Sequence, residues 1–120
     1  MSAPAEAPER WALDAGDGPS ATLTIPPDAR RERRFELAVA LTVAVPEAVA
    51  PGAWLQLTVM VNGARQWQRR VPAHNPGQWD GLDYRMALRV PVRQALRITA
   101  ASEVQGVRRR GLLIEADEAG

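Results

Sequence analysis

The chain has 120 residues, a formal net charge of +1 and no cysteine. This length suits one domain that buries about two thirds of its unfolded surface, and the lack of cysteine excludes disulfides, thiol catalysis and thiolate metal sites. All fifteen basic residues are arginine, yet a near-neutral chain lacks the strong positive field that is typical of nucleic-acid binders.

Both ends of the chain lack hydrophobic periodicity. We predict a disordered N-terminal tail over residues 1–9, a domain over residues 10–117 and a C-terminal tail over residues 118–120. The acidic residues Glu6 and Glu9 and the lack of a long apolar run argue against a secretory signal peptide. No apolar stretch approaches the ~20 residues of a membrane helix, so we expect a soluble, cytoplasmic protein without a membrane partner.

Apolar residues alternate with a period of two through most of the domain, which places successive side chains on opposite faces of a strand. Leu23 and Ile25 mark an early strand. The longest run covers residues 33–45, and it keeps its apolar residues two apart where a helix would need three and four. One face carries Phe35, Leu37, Val39, Leu41, Val43 and Val45, and the other carries Glu36, Ala38, Ala40, Thr42 and Ala44.

A β-hairpin is predicted at Asn62-Gly63, the dipeptide that best tolerates the positive φ angles of tight turns. A two-residue loop would set Leu57 opposite Gln68, whereas a three-residue loop with Gly63 as a bulge residue would set Leu57 opposite Trp67. We favour the three-residue loop, because it groups Trp67 with the leucines. The strand before the turn places four apolar residues on one face, Leu55, Leu57, Val59 and Val61.

The second half of the domain contains three further strands. Pro91 cannot donate a hydrogen bond to a neighbouring strand, so it marks a strand end or an edge. The apolar residues of the three strands are Tyr84, Met86, Leu88, Val90 and Val92, then Leu96, Ile98 and Ala100, then Leu112, Ile114 and Ala116.

Seven or eight strands at turn-separated intervals predict an all-β fold. We expect an antiparallel β-sandwich, closed as a jelly roll or as an immunoglobulin-like Greek key. Within each strand the apolar residues lie on one face, which predicts a core that largely buries Leu37, Leu41, Leu57, Val59 and Leu88.

The segment from His74 to Asp83 has the composition of a binding loop. A cation could be ligated by the side chains of His74, Asn75, Asp80 and Asp83, and a sugar ring could stack on Trp79. The same residue types also make ordinary turns, and the segment lacks the acidic spacing of an EF-hand and the histidines of a zinc site. We therefore predict no metal and no cofactor, and keep these five residues as a candidate site for a glycan or another small molecule.

Two arginine clusters precede strands. Such clusters usually lie in solvated turns that keep sheet edges from pairing with other chains, but they can also bind an anion. The clusters are Arg30, Arg31, Arg33 and Arg34 before the long strand, and Arg108, Arg109 and Arg110 before the last one.

No motif indicates catalysis. Ser2, Ser20 and Ser102 lie in no nucleophile elbow, and one histidine would have to serve every acid–base role. We predict that the protein is not an enzyme.

The face of the long strand that points away from the core favours protein association. A solvated sheet face usually carries charged and long polar side chains, whereas this face has a row of small ones, Ala38, Ala40, Thr42 and Ala44. Trp54, Thr58 and Met60 would extend the area if the next strand pairs with the long one.

The leading hypothesis is therefore a non-catalytic domain that binds protein, with a homo-oligomer or another protein as its partner. The first alternative is a carbohydrate-binding module that uses Trp79. The second is an anion or nucleic-acid binder that uses the arginine clusters.

Overall fold

Eight antiparallel β-strands build the domain in the computed structural model, which describes residues 7–119. None of these residues forms a helix with the length and apolar character needed to cross a bilayer. The strands are β1 (Arg10–Asp14), β2 (Ser20–Ile25), β3 (Arg33–Ala44), β4 (Trp54–Val61), β5 (Ala64–Pro72), β6 (Trp79–Val90), β7 (Leu96–Gln105) and β8 (Arg108–Glu118).

The strands form two four-stranded sheets that pack face to face. Sheet A has the order β1-β8-β3-β6, and sheet B has the order β2-β7-β4-β5. The pairs are nested, because β4 pairs with β5, β3 with β6, β2 with β7 and β1 with β8, as if one long antiparallel ribbon were rolled into a sandwich. This is the jelly-roll arrangement. The predicted β-sandwich is confirmed, and the strand order decides between its two proposed topologies.

The core lies between the sheets and is filled by the alternating apolar residues. Leu37, Leu41, Leu57 and Val59 are buried, as predicted. Leu88 is only half-buried, because β6 is the edge strand of sheet A and no further strand covers its side. The largest fully buried side chains are Phe35, Ile25, Leu41, Leu55, Leu57, Leu96, Ile98, Leu112, Ile114, Val39, Val43 and Val59.

The hairpin between β4 and β5 has a two-residue loop, so the preferred three-residue loop was wrong. Asn62 and Gly63 both have positive φ, 48° and 84°, as a type I′ turn requires. The register shifts between Val59 and Met60, so a bulge in β5 lies after the turn. Because of this bulge Leu57 pairs with Arg69.

The same bulge still brings Trp67 to the core side of sheet B. Trp67 pairs with Val59 and packs against the core. Its ring stacks on that of Tyr84 in β6, with 4.9 Å between centroids and 16° between planes. The grouping of Trp67 with the apolar residues of β4 was right, although it is produced by a bulge rather than by the loop.

The ends of the chain enter the fold further than the sequence predicted. β1 was not predicted, and β8 extends to Glu118, which lay within the predicted C-terminal tail. The amide of Glu118 donates to the carbonyl of Glu9 at 2.8 Å, so Glu9 is bound to the domain as well. Residues 1–6 and 120 of the predicted tails lie outside the described residues.

Pro91 was predicted to mark a strand end or an edge. β6 ends at Val90, directly before Pro91, because proline has no N–H to donate to a neighbouring strand. Val92 lies beyond the strand and is 42% exposed.

Candidate functional site

The outer face of sheet A has a floor of small side chains along its central strand β3, with one glycine on each neighbouring strand. Ala38, Ala40, Thr42 and Ala44 lie on this face and are half-buried. Gly81 on β6 and Gly111 on β8 both lie opposite Thr42. A Cβ at Gly81 would stand 2.9 Å from the carbonyl oxygen of Leu41, so a side chain there would push the two strands apart. We call Ala38, Ala40, Thr42, Ala44, Gly81 and Gly111 the small-residue floor.

Charged residues of both signs flank this floor. Ala38 lies between Arg85 on β6 and Glu115 on β8. The next position, Ala40, lies between Asp83 and Leu113. The face is therefore flat in the middle, with mixed charges beside it.

The predicted extension of this face through the next strand was wrong. β3 belongs to sheet A and β4 to sheet B, so their outer faces lie on opposite sides of the sandwich. Trp54, Thr58 and Met60 are half-buried on the outer face of sheet B. The guanidinium carbon of Arg70 lies 3.7 Å from the centroid of the Trp54 ring, so a neighbouring strand already covers that indole.

The segment from His74 to Asp83 is not one long loop, because β6 begins at Trp79. Asp80 is buried and accepts hydrogen bonds from the backbone N–H of His74 at 2.9 Å and from the side-chain amide of Asn75. These three residues come together, but the carboxylate is used to close the connection between β5 and β6. Asp83 lies three residues further along the strand, exposed on the outer face of sheet A.

Trp79 is separated from that buried cluster by the alternation of β6. Its side chain is 58% exposed and lies on the outer face of sheet A, opposite Ala44. Across Ala44, on the other side of β3, the opposite residue is Arg108. The structure therefore places the sugar-stacking candidate and one anion-binding candidate in a single row, which neither local pattern predicted.

A groove of about 400 Å³ opens on the arginine side of this row. Its apolar walls come from the last residue of β3, the residues that follow it and the residues that precede β8, and Arg108 and Arg110 complete its lining. The side chains of Arg108 and Arg110 are exposed and have no hydrogen-bond or ion-pair partner within residues 7–119. The apolar residues are Ala44, Val45, Pro46, Gly106 and Val107.

Arg109 has a different role from its two neighbours. Its guanidinium donates to the hydroxyl of Ser102 at 2.8 Å and to the carbonyl of Ser102 at 3.1 Å. The Ser102 hydroxyl in turn donates to the carbonyl of Pro19 at 3.0 Å. This chain of bonds joins β8 of sheet A to β7 of sheet B, so Arg109 is a structural residue.

The first arginine cluster is largely taken up by ion pairs inside the domain. Arg33 is buried, and its guanidinium lies 3.0 Å from a carboxylate oxygen of Glu9 and donates to the carbonyl of Pro26 at 2.8 Å. Arg31 binds the carboxylates of Glu9, Asp28 and Glu118. We call Glu9, Asp28, Arg31, Arg33 and Glu118 the terminal clasp. Arg30 and Arg34 remain exposed.

Two carboxyl groups of the clasp have lowered pKa values. The hydrogen bonds from Arg31 hold the pKa of Glu118 below its ordinary value, although burial opposes this. At Asp28, hydrogen bonds from the backbone N–H of Arg30, and to a lesser degree that of Arg31, lower the pKa. Both carboxylates are therefore stabilised in the charged form by the arrangement of the loop before β3.

Glu9 and Glu118 were not predicted as partners of the first arginine cluster. Glu9 also accepts a hydrogen bond from the indole N–H of Trp11 at 3.0 Å. An acidic residue beside an otherwise featureless terminus is a weak signal, and only the pairing of β1 with β8 shows that the two glutamates meet.

No family model and no curated protein matches the chain. Among solved structures, it is similar to part of the dimeric latent PorU from Porphyromonas gingivalis, with a TM-score of 0.53 at 12% identity over 92% of this chain and 13% of that one. It is also similar to part of the structure of infectious bursal disease virus, Gx strain, with a TM-score of 0.48 at 12% identity over 92% of this chain and 33% of that one. This chain thus spans a small part of the length of either protein. The likeness to PorU supports the fold, and the protein is a jelly-roll β-sandwich domain of a kind that also occurs within much longer chains.

Proposed function

We propose that this chain is a non-catalytic β-sandwich domain that works by self-association through the outer face of sheet A. The observation that carries the proposal is the small-residue floor along β3 and its neighbours. Long charged side chains keep most solvated sheet faces hydrated and rough. Alanine, threonine and glycine at these positions instead let a second layer approach the backbone closely.

The whole outer face of sheet A is close in size to one side of a standard protein interface. A strand of twelve residues is about 40 Å long and neighbouring strands are about 4.8 Å apart, so sheet A presents on the order of 700 Å². A standard protein interface buries about 800 Å² on each partner.

The charges on the face favour a second copy as the occupant. Arg85 lies in a row with Glu115 and next to the row of Asp83. A face of mixed sign does not repel its own copy as a uniformly charged face would, and it offers both members of intermolecular ion pairs. Two-fold symmetric dimers are the commonest oligomers of soluble proteins.

The proposal of a non-catalytic role is supported by the bonds of three polar side chains. Asp80 closes the connection before β6, Ser102 links the two sheets and Glu118 belongs to the terminal clasp. Each of these side chains is committed to holding the fold.

The proposal is tested by light scattering after size exclusion on matched variants. Ala40→Arg introduces a long cation into the small-residue floor, whereas Ala101→Arg makes the same change at a half-buried position of a central strand on the outer face of sheet B. We expect a dimeric mass for the wild type and for Ala101→Arg. Ala40→Arg should have a monomeric mass and the β-rich circular dichroism spectrum of the wild type, and it should lose the stabilisation that association supplies. A monomeric wild type, or a dimer that both variants retain, would refute association through this face.

A further inference from the structure

We propose that the end of sheet A at Trp79 binds an acidic sugar, that is, a pyranose bearing a carboxylate. In this site the indole of Trp79 stacks on the sugar ring, and Arg108 and Arg110 bind the carboxylate. The site shares Ala44 and the outer face of sheet A with the proposed association surface, but it uses the end of that face at Trp79 and the groove beside it, so separate variants test the two proposals.

The first observation is the row formed by Trp79, Ala44 and Arg108 on three adjacent strands. Two strand spacings separate the Cα atoms of Trp79 and Arg108 by about 10 Å. Ala44 between them projects only a methyl group from the sheet. A sugar ring that stacks on the exposed indole can therefore extend over Ala44, and a substituent on that ring can reach Arg108.

The second observation is the groove that continues from Ala44 towards the arginines. Its volume of about 400 Å³ lies in the range of small-molecule sites. Val45, Pro46 and Val107 give it apolar walls that suit the C–H face of a sugar, and the two arginines supply its polar lining. A groove of this composition favours a ligand that is apolar on one side and anionic on the other.

The third observation is that the side chains of the two arginines lining the groove bind no acceptor within the described residues. Arg31, Arg33 and Arg109 are bound to acceptors of the domain itself. Arg108 and Arg110, by contrast, leave their donors available to a ligand. A guanidinium binds a carboxylate through two parallel hydrogen bonds, which are stronger than bonds between neutral groups.

A single sugar residue fits this set better than a nucleic acid does. Proteins that track a nucleic-acid strand use a basic groove with several aromatic side chains in succession. Here one exposed indole stands beside two arginines, and Trp54, Trp67 and Trp11 lie elsewhere, each half-buried. The constellation offers one stacking surface and one anion site.

The test is an NMR titration of the protein with trigalacturonate and triglucuronate, followed at the backbone amides and at the indole N–H of Trp79. The matched neutral probe is the methyl ester of each trisaccharide, and inorganic phosphate and a short single-stranded DNA serve as competing anions. We expect a dissociation constant of about 1 mM or below for at least one acid, with shifts at Trp79 and residues 106–110, and binding at least tenfold weaker for its ester, for phosphate and for the DNA.

Variants assign the two roles. Trp79→Ala and the double variant Arg108→Gln with Arg110→Gln should each weaken binding at least tenfold. The control Arg65→Gln with Arg69→Gln, which removes two exposed arginines of β5, should leave binding unchanged. The proposal is contradicted if neither acid binds, if phosphate or DNA binds as tightly as the acid, or if Trp79→Ala binds the acid like the wild type.

Failure of the sugar site and failure of self-association can be told apart with one variant for each. Trp79→Ala should keep the mass of the wild type, and Ala40→Arg should keep the affinity for the acid. Loss of sugar binding with an unchanged dimer in Trp79→Ala supports the sugar site, whereas equal affinity of the acid for wild type and both site variants contradicts it whatever the oligomeric state.

Discussion

Arg31 donates a pair of hydrogen bonds to the two carboxylate oxygens of Glu118, and so fastens the loop before β3 to the last residue of β8. The same guanidinium lies 3.0 Å from a carboxylate oxygen of Glu9. Because Glu9 precedes β1, the clasp joins both ends of the described chain to the centre of sheet A. Carboxylates that are paired with an arginine in this way make the free energy of unfolding depend on pH.

Glu118→Gln should lower the free energy of unfolding at pH 7 by about 1 to 2 kcal/mol, because the pair loses its charge. The lowered pKa of Glu118 means that its stabilisation is present above about pH 4.5, its ordinary value, and is lost as the pH falls through the folded-state pKa. Urea unfolding of both proteins from pH 7 to pH 3 measures this. The difference between them should shrink below about pH 4.5, and a difference that grows on acidification would contradict the clasp.

Leu57→Ala should destabilise the protein by about 2 to 5 kcal/mol, because it leaves a cavity in the core. Leu57 is fully buried on β4. The control Leu13→Ala changes the same residue type at a position that is 37% exposed, and about 0.5 kcal/mol or less is expected there. Chemical denaturation compares the two. Equal losses would show that the burial of β4 has been misassigned.

Gly63→Val should destabilise the hairpin by about 1 to 2 kcal/mol, because a branched side chain is strained at positive φ. Gly63 has φ of 84°, and asparagine adopts this region more readily than valine. Gly63→Asn should therefore cost clearly less than Gly63→Val in thermal unfolding. If both variants unfold at the wild-type temperature, the turn is not of the type described.

Asp80→Ala should loosen the connection between β5 and β6 and cost about 1 to 3 kcal/mol, because the donors of His74 and Asn75 lose their acceptor. The amide of His74 bonds directly to this carboxylate. Its hydrogen exchange should therefore accelerate much more than that of amides in β7. Unchanged protection of His74 would show that Asp80 is not the residue that closes the connection.

The alternation of apolar residues predicted the fold well wherever both neighbours of a strand are present. β3 alternates over its full length because sheet A continues on either side of it and sheet B covers its inner face. β1 was missed because it is a five-residue edge strand of which only Trp11 is half-buried. A short strand with one covered side chain leaves almost no periodic signal.

The candidate site could be predicted only in part. The odd or even position of a residue along its strand shows which face of the strand it lies on, but not which of the two sheets the strand belongs to. The outer residues of β3 and β4 were placed together, whereas the chain crosses from sheet A to sheet B between them. The row of Trp79, Ala44 and Arg108 joins three strands that are far apart in sequence, so no local pattern contains it. The partners of Arg31 and Arg33 were hidden for the same reason, since Glu118 is 87 residues from Arg31.

Self-association through the small-residue floor is tested most directly by cross-linking single cysteines. The natural chain has no cysteine, so Ala40→Cys and Ala101→Cys each introduce one thiol, on the outer faces of sheets A and B. Each variant is treated with a short, flexible bismaleimide and separated under denaturing conditions. We expect a covalent dimer from Ala40→Cys and a monomer from Ala101→Cys. Equal dimer yields from both variants, or a dimer from Ala101→Cys alone, would contradict association through the outer face of sheet A.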